Sequence, residues 1–210
     1  MEINKEGLPV LQPLLEEMPI LTAGYINEKK HNIAKFYDKV WNENDNVSFL
    51  VAQNGQIIYE NYQGFANRAK GEDITKDTPL HIASVSKVVT ATAVLMLVDA
   101  GKIKLEQKVT EFLPDFPYPD VTVLTLLNHR SGMKNYAYFT YKTGVWDIKK
   151  ELTNEDIVQV MKNYNVPLES KTDTRFGYCN TNYAMLALII EKVTNLKYPE
   201  AMQEMIFKPL

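Results

Sequence analysis

One cysteine, Cys179, stands in 210 residues, which excludes an internal disulfide. The three histidines, His31, His81 and His129, have no spacing that suggests a metal site or a catalytic triad, and each reads as a structural or exposed side chain. A Gly-x-Ser-x-Gly nucleophile elbow is missing. No run approaches the ~18 consecutive apolar residues of a membrane span, and the opening "MEINKEGLPV" lacks the basic and apolar regions of a signal peptide. Positive charge is not in excess either: 23 Lys and Arg are scattered among 26 Asp and Glu, for a net −3, which argues against a nucleic-acid partner. Repeats and low-complexity tracts are absent, and no cofactor or metal is expected.

What is present suffices for a buried core, since 45% of the residues are hydrophobic. "NIAKFYDKVW" places Ile33, Phe36, Tyr37, Val40 and Trp41 on one helical face and Lys35, Asp38 and Lys39 on the other. "VSFLVAQNGQIIYENY" sets two β-rich runs around Asn54-Gly55, the dipeptide suited to the two positive φ angles of a type I′ turn, so strands are expected at about 47–53 and 56–63. From residue 84 helical patterns dominate, at 84–100, about 122–128, 154–162, 182–194 and 199–206.

The chemistry concentrates in "HIASVSKVVTATAVLMLVDAGK", residues 81–102. This helix is apolar all round, which predicts a course through the middle of the protein and an end near Gly101 in a left-handed C-cap. Ser84 lies in its first turn and shares a face with Lys87, three residues on. A serine hydroxyl is a poor nucleophile until something takes its proton. Lysine does so only when burial lowers its pKa from ~10.4 toward neutrality, a change of ~3 units or ~4 kcal/mol. Five serines and twenty lysines give about half a chance match to Ser-x-x-Lys, so the spacing alone also fits a lysine snorkelling to the surface. A second match, Ser131 to Lys134, contains Gly132 and reads as a loop without apolar surroundings. Tyr178-Cys179-Asn180 stands at the lip of another apolar helix, where it can bring a phenol and an amide to the serine and lysine; Cys179 reads as a small core side chain.

In this order, the hairpin around Asn54-Gly55, "TPLHIASVSKVVTATAVLMLVDAGKIKLEQKVTEFLPDF", "VTVLTLLNHRSGM" and "FGYCNTNYAMLALIIEKVTN" resemble the serine β-lactamase and penicillin-binding protein superfamily, in its class C β-lactamase-related branch, over roughly residues 45–210. The resemblance implies an α/β (α+β) fold, an antiparallel sheet flanked by helices with a helical subdomain. It implies Ser84 as the acylated nucleophile, Lys87 as its proton acceptor, Tyr178 as a second acid/base, and Asn180 holding Lys87 and a substrate amide. Which of Lys87 and Tyr178 is the acylation base stays open. The Ser84 N–H would form half of an oxyanion hole.

One departure matters: the third motif of this family, Lys-Ser/Thr-Gly or His-x-Gly, should follow Tyr178, yet no glycine occurs after Gly177. Lys142-Thr143-Gly144 spells it out of order. We therefore expect 1–24 to be an amino-terminal extension and 25–210 the amino-terminal portion of a larger hydrolase domain, with helix and hairpin at about 28–66, a mostly helical region at about 84–210, and the carboxy-terminal strands of the sheet missing. The expected function is a serine acyl-hydrolase acting on a β-lactam, a D-Ala-D-Ala peptide or a small ester, weakly active or inactive in this length. The alternative is a non-catalytic peptidoglycan- or ligand-binding protein on the same scaffold. The resemblance further implies an extracytoplasmic location, a small-molecule or peptidoglycan-like substrate, and an unpaired sheet edge open to self-association.

Overall fold

The computed structural model describes residues 2–12, 18–141 and 144–210. Lys142 and Thr143 of the out-of-order triplet lie outside the described residues. The chain divides into two compact units, Leu14–His81 and a larger one made of Met1–Pro13 with Ile82–Leu210.

The smaller unit is a helix on a hairpin. Helix α1, Ala23–Val40, starts where the Thr22 hydroxyl accepts the Tyr25 N–H. Strands β3 (Val47–Gln53) and β4 (Gln56–Gln63) pair antiparallel at the expected limits, and the shorter strands β1 (Glu2–Ile3) and β2 (Pro9–Val10) precede them in the chain. The turn has φ of 52° at Asn54 and 72° at Gly55, as a type I′ connection requires. A further short pair, β5 (Phe65–Asn67) with β6 (Glu72–Asp73), follows.

The helix face is narrower than its pattern suggests. Tyr37 is buried among the rings of Trp41, Phe49 and Tyr59, with centroids 5.0, 5.5 and 5.9 Å away, and its hydroxyl donates to Gln63. Phe36 and Val40 are about half exposed. Both lie to the same side of Tyr37, by roughly 100° and 60° around the helix, and the two-stranded ribbon leaves that side uncovered.

The larger unit is helical. In chain order it holds α2 (Ser86–Asp99), α3 (Val123–Leu127), α4 (Tyr136–Tyr141), α5 (Asn154–Asn163), α6 (Asn180–Thr194) and α7 (Tyr198–Met202). A single turn of 3₁₀ helix, Ala83–Val85, leads into α2, and a π turn, Gln203–Phe207, follows α7. Helix α6 occupies the middle: Met185, Leu186, Ile189 and Ile190 are fully buried among Val94, Leu97, Leu126, Ile157, Met161 and Met205. Each such side chain stabilises the fold by about 1.5–3 kcal/mol relative to exposure. Leu8 joins the same core, and the Leu11 N–H donates to the Met205 carbonyl.

The expected central course of α2 is corrected by this arrangement. Its inner face buries Thr90, Ala93, Val94, Met96 and Leu97, whereas Val85, Val88 and Leu95 are 63%, 66% and 47% exposed. Apolar composition measures how much a helix can bury, but only its neighbours decide how much it does. Helix α2 ends as anticipated: Gly101 has φ 67°, its N–H reaches the Val98 carbonyl, and the Lys102 N–H reaches that of Leu97.

Candidate active site

Ser84 sits on the 3₁₀ turn just before α2, immediately after Ala83, whose φ of 46° is left-handed. An alanine in that region costs roughly 1–2 kcal/mol, so this turn is held by its surroundings, in part by the Ser86 hydroxyl on the Ala83 carbonyl. The turn leaves Ser84 exposed, and its N–H lies in a first turn, where helical donors have no intrahelical acceptor.

Lys87 lies one turn further along, half-buried, with Nζ donating to Ser84 Oγ at 3.1 Å. Tyr178 arrives from the lip of α6, whose N-cap is Cys179, and its hydroxyl stands 2.6 Å from Ser84 Oγ. Both contacts are hydrogen bonds that share one oxygen, Ser84 Oγ. Lysine ammonium only donates, so it occupies one lone pair of Oγ, and between the two hydroxyls either oxygen can serve as the donor.

The electrostatics favour the ionised form of Tyr178 relative to a free phenol. The Lys87 ammonium beside Tyr178, and then the Ser84 hydroxyl, hold the phenol below its usual value near 10. Lys87 Nζ lies 5.1 Å from the Tyr178 ring centroid and 5.6 Å from that of Tyr183. Among the described residues no carboxylate forms an ion pair with it. The unpaired lysine of the sequence thus stands against aromatic faces, where ring quadrupoles support a cation without neutralising it.

Asn180 is the first residue of α6, and its Oδ1 is buried without a hydrogen-bond partner among the described residues. The expected bond from Lys87 to this oxygen is not formed, so the acceptor stays open. Cys179 is 2% exposed, and burial pushes its thiol up. It is the small core side chain that its flanking pattern suggests.

The floor of the site is a residue that the spacing argument passed over. His129 follows α3, is nearly buried, and has φ 57°. Its carbonyl accepts the Gly177 N–H at 2.8 Å, its Nδ1 accepts the Cys179 N–H at 3.2 Å, and its ring lies 4.6 Å from that of Tyr178. Nδ1 also faces the Asn182 amide at 3.2 Å, and Asn182 Oδ1 accepts from the Ser131 hydroxyl at 2.6 Å. Ser131 is 1% exposed and also accepts the Met133 N–H, so the second Ser-x-x-Lys is part of the support. Only a long-range contact reveals such a histidine; its sole sequence signal was its place in "LLNHRSGM". His31 and His81 are exposed, and among the described residues no cluster of metal-ligating side chains occurs.

A cavity of about 550 Å³ lies elsewhere in the larger unit, walled by Phe112, Leu113, Val158 and Leu188. It contains none of the reactive trio and no serine, threonine or cysteine. Ser84 and Tyr178 stand at an exposed surface instead.

The chain is similar to penicillin-binding proteins and to an esterase. Penicillin-binding protein 4* of Bacillus subtilis (strain 168) is 32% identical over 183 residues, covering 87% of this chain and 40% of that protein. Esterase EstB of Burkholderia gladioli is 41% identical over 91 residues, 40% of this chain and 23% of the esterase. The crystal structure of a penicillin-binding protein from Bacillus halodurans superposes with a TM-score of 0.61 at 28% identity, covering 70% of this chain and 44% of that one. The chain thus spans well under two thirds of the length of these relatives. The Beta-lactamase family profile matches residues 37–210. By that match, and with a serine, a lysine and a tyrosine gathered at the start of α2, the chain belongs to the β-lactamase family of serine hydrolases and penicillin-binding proteins.

Proposed function

We propose that this protein is a serine acyl-hydrolase in which Ser84 is acylated by a β-lactam, a D-Ala-D-Ala peptide or a small ester. The observation that carries this reading is the position of Ser84 Oγ, 2.6 Å from the Tyr178 hydroxyl and 3.1 Å from Lys87 Nζ. With Tyr178 as the phenolate beside Lys87, Ser84 Oγ attacks the acyl carbon while its proton passes to the Tyr178 oxygen. Tyr178 then gives that proton to the leaving amine or alcohol and is a phenolate again. In the second half it takes a proton from water as the water attacks the acyl carbon, and it passes that proton to Ser84 Oγ as the bond from Oγ to the acyl carbon breaks and the acid leaves. The Ser84 N–H supplies one donor to the developing oxyanion. Exposed Val85, Val88 and Phe176 offer apolar surface to the acyl group, and the unpartnered Asn180 oxygen, buried as it stands, must turn outward to meet an N–H of a substrate amide.

A second reading, binding of a ligand without turnover on the same scaffold, draws on the missing hydrogen bond between Lys87 and the Asn180 oxygen. One experiment separates the two. The intact protein and its Ser84→Ala variant are given a chromogenic β-lactam and a nitrophenyl ester, with turnover followed optically and adducts located by mass spectrometry. Turnover lost in Ser84→Ala, with the acyl group on Ser84, is expected. Stable binding with neither adduct nor turnover supports the second reading, and an adduct on Ser131 or Cys179 overturns the nucleophile.

A further inference from the structure

We infer that His129 is a positioning residue for Tyr178, acting as a neutral imidazole that seats the Gly177–Cys179 segment and aims the phenol at Ser84. This rests on Ser84 and Tyr178 being the reacting pair. Three contacts from one residue clamp the segment. The His129 carbonyl takes the N–H of Gly177, the ring nitrogen takes the N–H of Cys179, and the ring face lies against the phenol between them.

The protonation state follows from the donors. A backbone N–H can only donate, so Nδ1 must be an unprotonated acceptor and the ring proton sits on Nε2. The remainder of the network agrees. The Met133 N–H occupies a lone pair of Ser131 Oγ, whose own proton goes to Asn182 Oδ1; this turns the Asn182 amide nitrogen, also a donor, toward Nδ1. Ser131 and Asn182 are 1% and 0% exposed, so neither has water to fall back on.

Charged and titratable groups face the ring from each neighbouring element. Lys87 comes from α2, Tyr178 and Cys179 from the stretch before α6, and Tyr183 from α6 at 5.2 Å. Burial first, and then the Lys87 charge, hold His129 below its ordinary 6.5. The ring is therefore neutral at neutral pH. As pH falls through that lowered value, a proton on Nδ1 meets two donors and a nearby ammonium, and the Tyr178 segment loses its seat.

The test uses the intact protein with two substitutions, nitrophenyl ester turnover across pH, and thermal unfolding as a check on folding. His129→Phe keeps a ring and removes the acceptor. His129→Asn restores an oxygen near the Nδ1 position, tolerates the left-handed backbone, and does not titrate. The expected result is a roughly 10²-fold fall in kcat for His129→Phe, the cost of a misplaced reacting group, with KM little changed. His129→Asn should recover much of that loss and flatten the acid limb of the profile, the additional fall below 6.5 that is separate from the limb set by the Tyr178 phenol. Wild-type kcat in a folded His129→Phe, or an unaltered acid limb in His129→Asn, overturns the inference; the second criterion decides even if His129→Phe fails to fold. Ser84→Ala keeps the two readings apart. Persistent turnover in it removes the nucleophile assignment itself, whereas Ser84-dependent turnover indifferent to His129 removes this inference alone.

Discussion

Tyr178 illustrates what a single side chain acquires from its surroundings. Its hydroxyl is the group nearest to Ser84 Oγ, and the cation beside it favours the phenolate. Tyr178→Phe keeps the ring on His129 and removes only the proton acceptor, so kcat is expected to fall about 10²- to 10⁴-fold while thermal stability is nearly unchanged. On the proposed mechanism the phenolate is the active form, so kcat/KM in the wild type should rise with pH through an apparent value below 10. Lys87→Met removes the main cause of that lowering and should move the limb upward. Stopped-flow acylation across pH checks both, and a limb that stays in place in Lys87→Met would show that the lysine does not set it. The serine, lysine and tyrosine were legible as triplets, but triplets with the same spelling occur elsewhere in the chain. What distinguishes Tyr178 from Tyr25 and Tyr59, each also two residues before an asparagine, is the helix that its segment caps.

At the scale of elements, the loop after α3 carries the site's support. Arg130 binds the Asp173 carboxylate and carbonyl, each at 2.7 Å, and the Thr172 hydroxyl donates to the Ser131 carbonyl. Gly132 lets the two loops close. It has φ 78°, and a Cβ there would come within 2.1 Å of the Ser170 carbonyl oxygen, a backbone atom that cannot swing aside. Gly132→Ala is therefore expected to cost about 2 kcal/mol or more, from strain and clash together. Urea unfolding of the variant measures this, and a loss within experimental error would mean that the loop at 169–173 shifts freely. The strands of the hairpin and the long helices were readable from periodicity, since alternation and the 3.6-residue repeat are written locally. Helix α4 was not: "YAYFTY" has the aromatic content of a strand, and its helical form is anchored from outside by the Thr181 hydroxyl on the Tyr136 N–H.

For the whole molecule, Tyr118 links stability to alkaline pH. Its hydroxyl donates to the Val166 carbonyl at 2.6 Å, and burial pushes the phenol up to about 12. A folded value above the unfolded one of ~10 means that the stabilisation is complete below pH ~10 and is lost as pH rises through about 12. The stability difference between wild type and Tyr118→Phe should accordingly shrink over that interval. Urea midpoints at successive pH values test it, and a constant difference would show that Tyr118 does not titrate differently in the two states.

Sequence alone determined the type I′ hairpin and the helical character of the second half, and it singled out Ser84, Lys87 and Tyr178 as candidates, because turn chemistry, periodicity and motif order are properties of neighbours along the chain. Tertiary structure decided which faces are covered. It made α6 and not α2 the central helix, since burial depends on what packs against a surface. It also decided that the lysine without a carboxylate rests on two tyrosine rings, and that His129, 49 residues before Tyr178 in the numbering, lies beneath it. Those facts depend on distances between segments that no local pattern encodes, and they convert three reactive residue types into one hydrogen-bonded site.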